Sequence, residues 1–473
     1  MQATIKYLRE GFRSAALRIV PPAASDADER IPTHFVALID ISDSMADNNK
    51  LGHVKHCLSL LLSFLTPADQ LSLITFGDTA TTLLRRVPMT AAAVATATSS
   101  IQSLRTNGCT NFSAGLAAVR ELLEGGGLRP ARQKEGLFIL TDGHANRGVH
   151  NPNELRSMGG RLRELFPNLT TSFVAYGTDH NADLLKQMSD DVNGSYSIVT
   201  DLEGAALTMG ESLGNLLSCA AQNVTVKFPA GTKLLGGGSR AITPEGRLVV
   251  GDLYTGVTQL LLVDFPAVAA APSSVSIKGT MLPSLDSFQI DILEPAPAVS
   301  GQRDLEVELT EIRYKVADLY RRLREAPPQN GEERAALEGE LAAIRGSLAD
   351  PIYAGQPLLE LLQHELPSLT VAIEAAATYL QDTHGYRTQL LQHEAFVGLG
   401  RGTSQPMRLP VVEAFPIDYD DVGSDAGGDP DGGGSVPAAR ANESYLSPTT
   451  SRTARRVAVQ LRTASQLPTS AAP

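Results

Sequence analysis

Five oxygen-bearing side chains stand where apolar runs give way to loops. The stretch Asp40-Ile41-Ser42-Asp43-Ser44 sets Asp40, Ser42 and Ser44 at every second position, so their oxygens can face one way if the loop stays extended. Thr110 lies in Asn107-Gly108-Cys109-Thr110-Asn111, and Asp142 in Thr141-Asp142-Gly143. Hydroxyls and carboxylates are hard donors that suit Mg²⁺, Mn²⁺ or Ca²⁺ and not zinc or copper. The hydroxyls cancel no charge, which leaves Asp40 and Asp142 to balance the ion. An ion held this way keeps room for an outside oxygen, and a carboxylate from another protein would fill it. A capping account competes, because Asp and Ser favour strand ends and turns, and Thr110 or Asn111 could cap a helix.

These residues need elements that bring them together. Residues 33–218 read as alternating strands and helices. HFVALID, QLSLITFG, GLFILTDG, TTSFVAYG and GSYSIVT are apolar runs without polar alternation, as expected of strands covered on both faces. Leu51, Val54, Leu58, Leu61, Leu62 and Leu65 line one helical face. Further helices are expected over Ala91–Leu104 and Ser113–Leu123, after Pro152, over Asp183–Met188, and from Asp201 to Leu217. The alternation predicts an α/β fold with a doubly wound, mostly parallel, Rossmann-like sheet. TTLLRRVPM alternates and reads as an antiparallel edge strand. In such a sheet, ligands gather beyond the carboxyl ends of the strands, where Asp40 and Asp142 fall.

The rest of the chain changes character. Residues 222–300 carry NVTVKFP, RLVVGDL, TQLLLVDF, SSVSIKG and FQIDILE between Gly- and Pro-bearing turns, which suggests an all-β sandwich. SAALRIVPP, within the N-terminal segment 1–32, could add a strand to it, which would make the α/β unit an insertion. Residues 304–400 look helical: Leu309, Ile312, Val316, Leu319 and Leu323 mark one face, and Leu337, Leu341, Ile344 and Leu348 another. Leu358–Leu366 and Leu369–Tyr379 give two further helices, with Pro367 between them. The interruptions favour a bundle over a coiled coil. Residues 401–473 collapse into Gly, Asp, Ser, Pro, Ala and Thr and read as a disordered low-complexity tail.

DISDSM, then CTNFSAGL, then FILTDG, in that order and at strand ends or helix starts, resembles the metal-ion-dependent adhesion site of von Willebrand factor A domains. The resemblance covers residues 33–218. It implies that Ser42, Ser44 and Thr110 are direct ligands of Mg²⁺ (or Mn²⁺ or Ca²⁺), with Asp40 and Asp142 supporting the ion, often through water. It implies a metal-dependent protein-binding module, not an enzyme, that grips a partner through an acidic side chain. Asp43 departs from the family, which often has Gly there; a third carboxylate beside the metal bears on which ligand is accepted. The later regions resemble the layout of intracellular A-domain proteins, including plant ones that carry a RING finger and are linked to ubiquitin transfer. The helical part is also similar to the region accompanying A domains in proteins with Hint modules. Neither a RING cysteine set nor a Hint-like nucleophilic cysteine is visible, so those activities do not carry over.

The totals agree with a multidomain chain. Its 473 residues suggest two to four domains. A net charge of −12 argues against general nucleic-acid affinity. Cys57, Cys109 and Cys219 form neither a disulfide framework nor a zinc set. Without an apolar span or a recognisable signal peptide, a cytoplasmic protein is expected. Five Asn-x-Ser/Thr triplets, at Asn111, Asn168, Asn193, Asn223 and Asn442, then read as chance matches. Other candidates are weak. Gly210-Glu211-Ser212-Leu213-Gly214 falls inside an expected helix, not on a nucleophile elbow. His53 and His56 read as surface or packing residues, and His144 as a rim residue. The Gly125–Gly127 run lacks the P-loop lysine, and Asp418, Asp420 and Gly423 lack the rest of an EF-hand. A metal-dependent hydrolase remains the rival reading, with Asp43 and His144 as the nearby bases. A structural protein whose A domain has lost its ligand is the third.

Overall fold

The computed structural model describes residues 1–8, 14–22, 31–125, 133–177, 179–199, 202–236, 241–266, 274–282, 284–293, 295–297, 303–376 and 390. The expected disordered tail and Tyr379 lie outside the described residues. Two antiparallel strands open the chain, β1 (Gln2–Tyr7) and β2 (Ser14–Val20). The α/β unit follows with β3 (Thr33–Asp40), a 3-10 segment over Asp43–Asn49, α1 (Lys50–Phe64), β4 (Gln70–Phe76) and β5 (Ala80–Pro88). It continues through α2 (Ala91–Ser103), α3 (Phe112–Glu124), β6 (Lys134–Thr141), α4 (Pro152–Leu165) and β7 (Leu169–Tyr176). It ends with α5 (Ala182–Asp191), β8 (Ser195–Val199) and α6 (Leu202–Ser218).

The unit is built on a six-stranded sheet of order β5-β4-β3-β6-β7-β8. All pairings are parallel except β4 with β5, so β5 is the antiparallel edge expected from its alternation. Every residue of β3 is buried, because helices cover both faces of the sheet. Phe35, Ala37 and Ile39 pack on the side of α1, α2 and α6. Val36 and Leu38 pack on the side of α3, α4 and α5. The chain leaves β3 toward β4 on one side and returns to β6 on the other. That reversal opens a crevice at the carboxyl ends of β3 and β6, where ligands bind in open α/β sheets.

After α6 come β9 (Cys219–Lys227), β10 (Lys233–Leu234), β11 (Arg247–Tyr254), β12 (Gln259–Asp264), β13 (Val275–Met281) and β14 (Ser287–Ile292). They form two antiparallel sheets, β1-β2-β12-β10 and β11-β9-β13-β14. Ile5, Leu17, Ile19, Leu261 and Val263 of the first share a core with Val224, Val226, Leu248, Val250 and Ile277 of the second. The opening strands therefore belong to the sandwich, and the α/β unit is inserted between β2 and β9.

The helical region comprises α7 (Leu305–Glu325), α8 (Gly331–Leu348) and α9 (Pro357–Ala376). Pro367 does not divide two helices there; it lies inside α9. An interior proline removes a hydrogen bond and costs about 3 kcal/mol. Leu362 and Leu366 before it and Leu369, Ala372 and Ile373 after it enter one core, and that shared burial outweighs the break. Among the described residues, no helix is long and apolar enough to cross a membrane.

Candidate functional site

Asp40 closes β3 with its carboxylate fully buried. Its Oδ1 accepts a hydrogen bond from Ser42 N at 2.9 Å, which folds the loop back over the strand end. Its Oδ2 accepts from Thr141 Oγ1 at 2.5 Å, which ties the ends of β3 and β6 together. Ser42 Oγ and Ser44 Oγ lie 3.2 Å apart, so the two hydroxyls converge. Met45 is buried in the core beneath and anchors the loop from below. The chain then enters α1 through Asn48 and Asn49, both left-handed, a conformation that Asn tolerates better than most residues.

Backbone bonds lace the second loop to the first. Asn107 N donates to Ile41 O at 2.6 Å, and Asp43 N to Gly108 O at 2.9 Å. Gly108 N in turn donates to Asp43 Oδ1 at 3.0 Å. The Asp43 side chain thus staples two loops. Gly108 has φ +77°, and a Cβ there would lie 2.8 Å from the Asp78 carboxylate, so the position demands glycine. Asp78 Oδ1 also accepts from Cys109 N at 3.0 Å and from Arg147 Nη1 at 2.7 Å.

The third loop closes the corner. Thr110 N donates to Asn146 Oδ1 at 2.8 Å, and Asn146 N and Arg147 N donate to Thr110 O at 3.2 Å. Thr110 and Asp142 are both buried. The helix cap belongs to Asn111, whose side chain accepts from Ala114 N at 3.1 Å. Capping therefore accounts for Asn111 and leaves Asp40, Thr110 and Asp142 to other work. Asp40, Ser42, Ser44, Thr110 and Asp142 all sit in these three joined loops.

Two buried carboxylates at one corner repel. Burial first, and then the charge of Asp142, push the Asp40 carboxyl up to about 6 against the hydrogen bonds from Thr141 and Ser42. A cation absent from the sequence reading offsets this. Lys50, 1% exposed at the start of α1, donates through Nζ to Asp142 Oδ2 at 3.2 Å and to Asp179 Oδ2 at 2.9 Å. Burial opposes its charge, but Asp179 and Asp142 outweigh burial and raise the ammonium above its ordinary range. Asp179 is itself lowered, its partial burial outweighed by Lys50. Gly177 makes room for the lysine: its φ is +82°, and a Cβ would lie 2.6 Å from Lys50 Cε. A signal was there to read. Lys50, Val54, Cys57 and Leu61 fall at helical spacing, so the charge lies on the apolar stripe.

The remaining candidates stand apart. His144 Nε2 bonds to Asp179 O at 2.7 Å. His53 and His56 are half-buried on α1. Gly210–Gly214 lies within α6. Asn223 Nδ2 donates to Pro167 O at 2.7 Å, so that triplet serves the contact between the α/β unit and the sandwich. At the opposite end of the sheet, His34 Nε2 meets Ser72 Oγ at 2.9 Å and His34 Nδ1 meets Glu135 Oε1 at 3.3 Å. Arg86 Nη2 donates to the same Glu135 oxygen at 2.5 Å. Ser72 and His34 are wholly buried, so this serine–histidine–carboxylate set clips three strands together and offers no route to a substrate.

Comparison with known proteins bears on the α/β unit. Residues 35–144, from β3 to just beyond Asp142, match the model of the von Willebrand factor type A domain. The uncharacterised protein YfbK of Escherichia coli (strain K12) is 26% identical over 201 residues, 42% of this chain and 34% of YfbK. Inter-alpha-trypsin inhibitor heavy chain H4 of Homo sapiens is 27% identical over 206 residues, 42% of this chain and 22% of that protein. The chain thus spans about a third or less of these curated relatives. The structure of a von Willebrand factor type A protein from Catenulispora acidiphila superposes with a TM-score of 0.54 at 14% identity, covering 78% of this chain and 88% of that one. The likeness reaches beyond the α/β unit in fold alone. With the parallel sheet and the matched segment, the α/β unit of this chain is a von Willebrand factor type A domain.

Proposed function

We propose that Asp40, Ser42, Ser44, Thr110 and Asp142 hold a divalent cation, Mg²⁺ or else Mn²⁺ or Ca²⁺, and that the domain uses it to grip an acidic side chain of a partner protein. The observation that carries this reading is the meeting of two buried carboxylates with the paired hydroxyls of Ser42 and Ser44 at the sheet's switch point. The donors are all hard oxygens, which fits these ions. Among the described residues, no group of three or more His, Cys, Asp or Glu is placed to hold a metal, so an ion at this corner must draw on hydroxyls. When bound, it would supply an electrophilic centre for an outside carboxylate. Asp43 spends one oxygen on Gly108 N, which favours a loop-stapling role over repulsion of that ligand.

We also propose a binding module and not a hydrolase. Asp43 and His144, the nearby candidate bases, are both engaged within the loops, with Gly108 N and Asp179 O respectively. Thermal melting in EDTA and then in Mg²⁺ or Mn²⁺ tests the site. The wild type should melt higher with metal by RT ln(1 + [L]/Kd), and Ser44→Ala should lose most of that gain. No metal-dependent shift in the wild type at millimolar ion counts against the site. A pull-down in Mg²⁺ against EDTA then tests the partner.

A further inference from the structure

Lys50 is the one buried ammonium at this corner among the described residues, and its contacts are divided. One bond reaches the fully buried Asp142, and the other reaches Asp179, which is 54% exposed at the rim. Gly177 is shaped around its methylenes. A lysine placed there only to fill space would not need both acids or a glycine cradle. We propose that Lys50 is the site's resident counter-ion: it neutralises Asp142 while metal is absent, and it yields Asp142 but keeps Asp179 when metal arrives. The inference rests on the metal-binding reading above. The physical ground is charge. Two buried like charges without a cation are costly, and Lys50 supplies a positive charge beside Asp142. The same charge repels a divalent ion at close range through a poorly screened interior. Metal binding is thereby held weaker than the donor set alone would give.

Mn²⁺ and Mg²⁺ titrations of the full chain by calorimetry, with metal-free melting alongside, test this. Lys50→Met should bind Mn²⁺ roughly tenfold tighter or more, and its metal-free form should melt lower than wild type. Asp179→Asn, at an exposed position, should still fold and should weaken Mn²⁺ several-fold, because Lys50 then rests on Asp142 alone. In the Lys50→Met background that loss should shrink. Binding that appears only in Lys50→Met supports the proposal too. Equal or weaker binding by Lys50→Met, with wild type binding, overturns it and leaves the metal reading intact. Absence of binding in every variant overturns both. If Lys50→Met does not fold, unchanged or tighter binding by Asp179→Asn overturns it.

Discussion

Glu135 is a residue whose charge does structural work far from the corner of Asp40 and Asp142. Its burial opposes ionisation, but bonds from His34 and Arg86 prevail and hold its carboxyl at about 2. The folded value lies below the unfolded one, so the stabilisation is fully present above the ordinary range near 4.5. It is lost as pH falls from there through about 2. The shift corresponds to about 3 kcal/mol at most. Urea unfolding of wild type and Glu135→Gln at a series of pH values should show a gap that is widest above pH 5 and narrows steadily toward pH 2. A gap independent of pH would remove Glu135 from acid stability. At this scale the sequence was legible where polar residues sat at strand ends, as Asp40 and Asp142 do. It was not legible for Lys50, because a lone cation on an apolar stripe takes its meaning only from Asp142 and Asp179, which are 92 and 129 positions away.

Elements carry a second set of constraints. α6 ends at Ser218 and β9 starts at the next residue, so the final carbonyls of the helix have no turn in which to find partners. Lys134, at the start of β6, donates to Leu216 O at 3.3 Å, Leu217 O at 3.2 Å and Cys219 O at 3.0 Å. A cation at a helix C-terminus is favoured by the aligned peptide dipoles, and burial strengthens the effect. Lys134→Met should cost about 2 kcal/mol, read as a lower urea midpoint with an unchanged slope. Loss below about 0.5 kcal/mol would mean that water serves these carbonyls equally well. Element types followed from periodicity because β3 and β4 are buried throughout and α3 and α4 are two-faced. α9 did not follow, since the packing that carries a helix through Pro367 is not a local property.

The whole molecule is joined by polar seams. Gln222 Nε2 donates to Thr170 Oγ1 at 2.8 Å and to Asn168 O at 3.1 Å, and Thr170 Oγ1 donates to Asp252 Oδ2 at 3.2 Å. These bonds fasten the sandwich to the end of the sheet remote from Asp40 and Asp142. Arg18 of β2 donates to both oxygens of Asp304 at 2.7 Å and to Glu306 at 3.0 Å, fastening the sandwich to the start of α7. Arg18 has no distinguishing mark in the sequence; it meets Asp304 because α7 packs on the face that β2 and β12 share, where Ala16, Leu260 and Leu262 meet Val307.

That pairing has a consequence in time. Ser14 meets Asp264, 250 residues later, across the edge of the first sheet. A ribosome adding about 5–20 residues each second needs roughly 10–50 s to deliver β12 after β2. The β1–β2 hairpin must wait through that interval, and a two-stranded hairpin alone is marginal in water. Its apolar side, Ile5, Leu17 and Ile19, stays uncovered while the inserted unit can already close on its own helices. In refolding, pulse-labelled amides of β3 and β6 should gain protection before those of β2 and β12. Simultaneous protection would mean that the insert and its host fold as one cooperative body. The nascent hairpin is then the segment most in need of a chaperone, although it lies outside the three loops around Asp40 and Asp142.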